Sequence, residues 1–401
     1  MEAAGYSQAS RTDIGKFVPV RASLSQGAIF RVVASLVAAE RANIGSGHAW
    51  DSAGWSPATS VGPDDLGLDS LELLAASDVV SRFFRLHETG DENRLLSEGT
   101  LGNWSRIVSD SLLEKRDGFT FATSGTTGLP KLRRQPMDTL YDEALFWSEQ
   151  LAGRQRVVQT VAAHHIYGFL FTVLLPDITG WPVIDARMMH PGTLHEVLRP
   201  TDLLVGFPTG LAAMLRTVVD LPAGLGVVSA TSGLPANTHK ALQSCGAGEV
   251  IDIYGSSETA GVAARRDPDS PFELLPRWQR GLAEGSIAET TSGAVFALPD
   301  RVTWEGERLL RPAERVDGAV QVAGVNVFPE QVAERLRRHP MVAECMVSLD
   351  TALPEPRLRA FIVPVAGSDA ETVIAICDRW ARRNLTAPER PVSFEAKASL
   401  P

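Results

Sequence analysis

Cysteine is scarce in this chain: Cys245, Cys345 and Cys377 are the only three in 401 residues, and no two stand in a CxxC pair. That spacing offers neither a disulfide framework nor a zinc signature, and buried thiols in a reducing compartment are the simplest reading. Long apolar runs are missing as well. The longest candidate, Phe169 to Leu175, is broken by Pro176 and Asp177 and falls well short of a bilayer span. An excess of positive charge is also lacking. The formal net charge of -10 argues against nucleic acid or an anionic membrane as the main partner. The first sixteen residues are polar and carry no apolar core, so no signal peptide is read there and a cytoplasmic location is expected.

What is present suits a folded α/β chain. Apolar residues make up 44% and charged residues 21%, outside the range of disordered proteins. The length suggests two or three domains. Residues 1–22 read as a flexible leader, and helical spacing of Ile29, Val32, Val33, Leu36 and Val37 follows. A second helix opens at Asp69-Ser70 and a third near Thr100, so 23–114 is expected to be a small all-helical unit. From Phe119 onward short apolar runs alternate with helical patterns, which predicts a parallel or mixed sheet flanked by helices over 115–316. Residues 317–401 read as a small α+β unit.

One stretch points to chemistry. Phe119 to Thr123 reads as a buried strand, and it runs into a loop of hydroxyls and glycines closed by Pro130 and Lys131. Glycines let backbone N–H groups approach an anion, hydroxyls add donors, and the lysine adds charge. The spacing TSGTTGxPK differs from the nucleotide loop G-x4-G-K-S/T. A second block, Ile251 to Thr259, delivers an aromatic, a glycine, hydroxyls and a carboxylate to the end of a strand, where ligands of open α/β sheets bind. Ala297-Leu298-Pro299-Asp300 and the run from Glu314 to Glu330 form two more.

In this order the four blocks resemble the adenylate-forming superfamily of acyl- and aryl-CoA synthetases, peptide-synthetase adenylation domains and luciferases, from about residue 117 to the end. The resemblance implies an α/β large domain with a small, mobile C-terminal domain. It implies that Thr123, Ser124, Gly125, Thr126, Thr127, Gly128 and Lys131 form the loop over the ATP phosphates, with Thr126 and Lys131 catalytic. Tyr254 would stack on adenine beside Asp252, Gly255 and Ser256, Thr259 would touch the α-phosphate, and Glu258 would hold Mg²⁺. Ser232 and Gly233 would border adenine and substrate. Asp300 and Arg315 would bind the ribose, Asp317 would be the hinge, and His165 would gate the acyl pocket.

Three departures stand out. Leu132 replaces the glycine after the loop lysine, and Gln321 occupies a position that is often basic. The family's lysine in a PxxxxGK-like segment has no counterpart before Leu400-Pro401, and Lys397 does not fit that pattern. Either the natural chain continues further, or adenylation is weak or absent. At the front, Leu66-Gly67-Leu68-Asp69-Ser70-Leu71 resembles the phosphopantetheine attachment site of acyl carrier proteins, with Ser70 as the attachment residue.

The expectation is therefore a carrier-like helical domain fused to an adenylate-forming enzyme. It would use ATP and Mg²⁺ to activate a carboxylic acid and transfer it to 4′-phosphopantetheine. That arm would be on Ser70, on a separate carrier protein or in CoA. A phosphopantetheinyl transferase and downstream biosynthetic enzymes would be its partners. Two other readings stay open: a free-standing acyl- or aryl-CoA ligase with a structural N-terminal region, and a non-catalytic scaffold.

Overall fold

The computed structural model describes residues 24–44, 52, 54–115, 117–123, 131–322, 325–351, 353 and 356–400. The expected leader and the loop residues Ser124, Gly125, Thr126, Thr127 and Gly128 lie outside the described residues. In chain order the helices are α1 (Gln26–Ile44), α2 (Ser70–Phe84), α3 (Leu101–Glu114), α4 (Met137–Gln150), α5 (Ile166–Phe169), α6 (Leu175–Thr179), α7 (Pro208–Leu215), α8 (Ala236–Ser244), α9 (Pro329–Arg337) and α10 (Ala370–Asn384). The first strands are β1 (Phe119–Thr123), β2 (Lys131–Gln135), β3 (Arg156–Gln159), β4 (Val183–Asp185), β5 (Asp202–Gly206), β6 (Gly226–Ser229) and β7 (Glu249–Ser256). Then come β8 (Ala260–Arg265), β9 (Phe272–Leu274), β10 (Trp278–Arg280), β11 (Ser286–Glu289), β12 (Val295–Ala297), β13 (Asp300–Trp304) and β14 (Leu309–Arg315). The last are β15 (Val320–Val322), β16 (Val325–Val327), β17 (Val342–Asp350), β18 (Arg357–Pro364) and β19 (Ser393–Ala396).

Among the described residues a nine-stranded sheet runs in the order β13-β14-β9-β8-β7-β6-β5-β3-β4. The block β4, β3, β5, β6, β7 is parallel, and β8, β9, β14 and β13 continue it antiparallel. Parallel strands are covered on both faces, so their side chains alternate between two cores. Val157, Leu203, Val205, Val228 and Ile251 face one core. Val158, Leu204, Val227 and Val250 face the other, with Leu211 and Met214 of α7 and Leu242 of α8. This is why the expected strands at Val157, Leu203, Leu225 and Glu249 read as unbroken apolar runs. The run Phe169 to Leu175 has the same texture but is helical, continuing α5 into α6 until Gly180 closes it in the left-handed conformation. Periodicity alone does not separate a buried helix from a buried strand.

The N-terminal helices differ from the expected independent unit. Ile29, Val33 and Val37 of α1, Val80 and Phe83 of α2 and Trp104 and Val108 of α3 belong to the same core as β1, α4 and the face of the large sheet. Phe83 meets Phe121 edge-on at 5.1 Å between ring centres, and Phe119 meets Phe169 at 4.7 Å. The helices pack on one another, and their buried residues run without a break into the core of the α/β domain. The Leu66–Leu71 segment has a structural explanation as well. Leu66 and Leu68 are buried, Gly67 turns at φ +63°, and Asp69 caps α2 by accepting the N–H groups of Leu71 and Glu72. Glu72 returns the bond to the Asp69 N–H at 2.9 Å, completing a capping box with Ser70 exposed at the first helical position.

Residues from Val320 onward do build a separate core, in which Val322, Leu336, Cys345, Leu358, Ile362 and Cys377 are buried. Strand β19, absent from the sequence reading, pairs in parallel with β18. Burial pushes the Cys345 thiol up to about 12 and the Cys377 thiol to about 11, so both behave as inert apolar groups.

One buried charge has a measurable consequence. Glu143 of α4 accepts the Gly261 N–H at 3.1 Å with each carboxylate oxygen, and burial raises its pKa from 4.5 to about 7. The folded state therefore holds the proton more tightly than the unfolded chain. The contribution is fully present below about pH 4.5 and is lost as pH rises through about 7. Glu143→Gln, which keeps an acceptor for Gly261, should gain about 3 kcal/mol relative to the parent between pH 5 and 8. Denaturant melts at the two pH values check this, and a pH-independent difference would contradict it.

Candidate active site

A cavity of about 880 Å³ opens beyond the C-terminal ends of β5, β6 and β7. It is walled by Thr231-Ser232-Gly233 after β6, by Ile253-Tyr254-Gly255 of β7 and by Asp300 and Arg315 of the β13–β14 hairpin. Leu349 and Thr351, at the end of β17 in the C-terminal unit, close another side. Six sequence-predicted residues thus meet at one cleft: Ser232, Gly233, Tyr254, Gly255, Asp300 and Arg315. Arg265 and Arg311 join Arg315 in the lining, and each is paired with a carboxylate, Asp252, Glu305 and Asp317 respectively.

The hairpin residues form a connected chain. The Tyr254 hydroxyl donates to Asp300 Oδ2 at 2.7 Å. Burial, reinforced by the Asp300 charge, drives the Tyr254 pKa far up and keeps the phenol a donor. Burial also raises the Asp300 pKa. Arg315 grips Asp317 with two bonds, Nε to Oδ1 at 2.8 Å and Nη2 to Oδ2 at 2.7 Å. This pairing lowers the Asp317 pKa and raises that of Arg315, to which Asp300 and Glu258 add smaller Coulombic contributions. Asp317 Oδ1 also accepts the Ala319 N–H at 3.1 Å, which ties the start of the C-terminal unit to the hairpin.

Asp252 lies elsewhere than its sequence reading suggests. It is completely buried and absent from the cavity lining. It accepts Arg265 Nε at 3.0 Å and Nη2 at 2.8 Å, and the Leu234 N–H at 3.3 Å. Desolvation raises its pKa to about 6 in spite of Arg265, leaving it ionised near neutrality. The corrected role is to hold Arg265 and the Ser232–Leu234 loop from behind. Antiparallel pairing sets Asp252 opposite Arg265, a register that no local sequence signal reveals.

The loop strands and the β7–β8 turn are brought together. Strands β1 and β2 pair antiparallel, with Thr123 opposite the exposed Lys131 at the base of the loop. The Gln135 side-chain amide donates to the Ser257 carbonyl at 2.5 Å, and Arg133 Nε donates to Glu258 Oε1 at 2.9 Å. Ser256 and Thr259 join hydroxyls at 3.0 Å, fixing the turn from which Glu258 projects into solvent. Ser256, Glu258 and Thr259 are therefore outside the cavity lining but beside the loop base. Arg133, Gln135, Arg265 and Arg311 are contributions that sequence reading missed.

His165 stands at the position before α5, and its side chain makes no capping bond. The residue is exposed, and desolvation by the surrounding protein lowers its pKa. It is not part of the cavity lining itself. The neighbouring Tyr167 is fixed by donating to the Gly206 and Val228 carbonyls at 3.0 and 2.8 Å, which seats α5 on the ends of β5 and β6.

The AMP-binding enzyme family matches residues 117–286. A protein named 4-coumarate–CoA ligase from Halorhodospira halophila is 34% identical over 83% of this chain and 85% of its own. Another of that name from Cereibacter sphaeroides is 33% identical over 96% of this chain and 97% of its own, so that similarity extends into the N-terminal helices. Among solved structures, an o-succinylbenzoate CoA synthetase from Bacillus subtilis shares the fold, with TM-score 0.58 and 17% identity over 94% of this chain and 89% of its own. With the cleft and its residues in place, these similarities show that the chain belongs to the AMP-binding, adenylate-forming enzymes, as an AMP-forming acid–thiol ligase.

Proposed function

We propose that the chain is a free-standing aryl- or acyl-CoA ligase. The carboxylate of the acid attacks the α-phosphorus of ATP, pyrophosphate leaves, and an acyl-adenylate forms. The CoA thiolate then attacks the acyl carbonyl and AMP leaves. The observation that carries this reading is the meeting of Ser232, Tyr254, Asp300 and Arg315 at one cleft, in a chain similar along nearly its whole length to proteins named CoA ligases.

In this reading adenine lies against Tyr254 and the Ser232-Gly233 backbone, and Asp300 and Arg315 take the ribose hydroxyls. Thr123 to Gly128 and Lys131 hold the β- and γ-phosphates, Thr259 meets the α-phosphate, and Asp317 is the pivot of the C-terminal unit. Among the described residues no cluster of three or more His, Cys, Asp or Glu could hold a metal. Mg²⁺ usually keeps one or two protein carboxylates and takes the rest of its shell from phosphates and water, so Glu258 beside the loop base fits it. When bound, that ion cancels phosphate charge as pyrophosphate departs.

CoA is favoured over an arm on Ser70 because the relatives that span the N-terminal helices are named CoA ligases, and because Asp69-Ser70 is accounted for by the cap of α2. Incubating the protein with ATP, Mg²⁺, CoA and a panel from 4-coumarate to substituted benzoates and malonate should yield an acyl-CoA and AMP by mass spectrometry. Ser70→Ala should turn over within twofold of the parent. A tenfold loss in that variant, or thioester formed on the protein and not on CoA, would restore the carrier reading.

A further inference from the structure

We propose that Thr231 is a specificity-determining residue, whose side chain sets the width of acid that the cleft admits; the inference rests on the ligase reading above. Three described residues other than glycine have a left-handed backbone: Arg85 at φ +62°, Ala260 at +57° and Thr231 at +80°. Arg85 ends α2 and donates its N–H to the Ser81 carbonyl, a common use of that conformation. Ala260 opens β8 opposite Ser256, at the tight turn after β7. Of the three, only Thr231 lines the cleft, where it is exposed. A β-branched side chain suits this region poorly, because its Cβ crowds the following carbonyl. Among the described residues its hydroxyl makes no hydrogen bond that would offset the strain.

The same loop breaks the local rule in the other direction at Gly233. Its backbone is not left-handed, and a Cβ added there would meet nothing within 4 Å. Glycine thus stands where a side chain would fit, and threonine where only glycine is at ease. The fold fixes the path of the backbone: Ser229 pairs between Gly206 and Asp252, and Asp252 accepts the Leu234 N–H at 3.3 Å. It does not fix the residue types, since Thr231→Gly would relieve strain and Gly233→Ala would meet no neighbour. Local rules are broken in this way where a ligand decides the residue. Bare backbone at Gly233 leaves room for a flat group, and the branch at Thr231 takes up width beside it. Sheet order gives the side. Strand β6 lies between β5 and β7, so the loop after it stands between Pro208-Thr209 and Tyr254-Gly255. Among the described residues the charged groups of the lining, Arg265, Asp300, Arg311, Glu314 and Arg315, all belong to β8, β13 and β14, beyond β7. Pro208, Thr209 and Ala212 on the β5 side carry no charge and suit the hydrocarbon part of an acid. Thr231 stands on the boundary.

The test uses the full chain with AMP bound and two acids of equal length, 4-coumarate and its 3,5-dimethyl derivative, titrated by calorimetry. An added methyl group in a fitted pocket changes binding about tenfold or more, so the parent should prefer 4-coumarate by at least about tenfold. Thr231→Gly should bring the two Kd values within about threefold of each other, and Thr231→Val, which keeps the branch without the hydroxyl, should keep the parental preference. Thr231→Gly should also melt at or above the parental temperature, although a glycine placed in an ordinary loop lowers it. A parent without preference, or a preference that survives in Thr231→Gly or is lost in Thr231→Val, would overturn the proposal. So would an equal loss of affinity for AMP and both acids, a Thr231→Gly protein melting several degrees below the parent, or a parent that binds neither acid. Binding is read without turnover, so a chain that shows the shift yet forms no acyl-CoA would strike the ligase reading and leave the assignment of Thr231 standing.

Discussion

Asp300→Ala should lower kcat/KM for ATP by about 10²–10³-fold while the protein stays folded. Its carboxylate is half-buried, accepts the Tyr254 hydroxyl and lies within the electrostatic reach of Arg315. In the proposed complex its oxygens also take the ribose hydroxyls. A charged hydrogen bond contributes about 1.5–3 kcal/mol, so losing two amounts to about 3–6 kcal/mol, and the stated range is the lower half of that span. Alanine also strands the Tyr254 hydroxyl in a partly buried site. Tyr254→Phe separates the two effects: it keeps the ring against adenine, removes only the bond to Asp300, and should cost about tenfold. Steady-state kinetics with ATP varied at saturating acid measures both. A loss confined to the acid's KM would remove Asp300 from the ribose site.

Asp252→Ala should cost about 3–5 kcal/mol of stability, with catalysis falling as a consequence. Removing one partner of a buried ion pair leaves the other uncompensated, and Arg265 would then stand charged in the cleft wall without its partner. The Leu234 N–H would lose its acceptor too, loosening the Ser232–Leu234 loop. Asp252→Leu combined with Arg265→Met should be less destabilised than Asp252→Ala, because the pair is removed together. Urea unfolding of the three proteins measures the coupling. An Asp252→Ala protein of parental stability that no longer binds ATP would return Asp252 to the nucleotide.

The contrast between these two aspartates shows what the sequence could carry. Asp300 sits in a short block whose neighbours place it at a turn, and that local pattern led to the cleft. Asp252 has an equally suggestive neighbourhood, beside Tyr254 and Gly255. Its role is decided by a strand partner thirteen residues on, and the pairing register that puts Arg265 there is a property of the sheet. The parallel strands were legible because burial on both faces demands apolar runs. The C-terminal unit was legible because α9 and α10 keep a helical period.

The N-terminal helices were legible as helices, but spacing tells which face of a helix is apolar and not what covers it. Phe83 of α2 packs on Phe119, Phe121 and Phe169 of the α/β domain, and that continuity of the core is not written in the spacing. Asp69-Ser70 likewise fits a carrier motif and a helix cap equally well until the return bond from Glu72 is seen.

Acid-dependent exchange of labelled pyrophosphate into ATP tests the adenylation claim most directly, since it reports the first half-reaction without CoA or any carrier. The expected result is exchange that requires Mg²⁺ and an acid from the panel and falls at least a hundredfold in Asp300→Ala. No exchange with any acid, from a folded chain that binds ATP, would contradict it and leave a nucleotide-binding scaffold in its place.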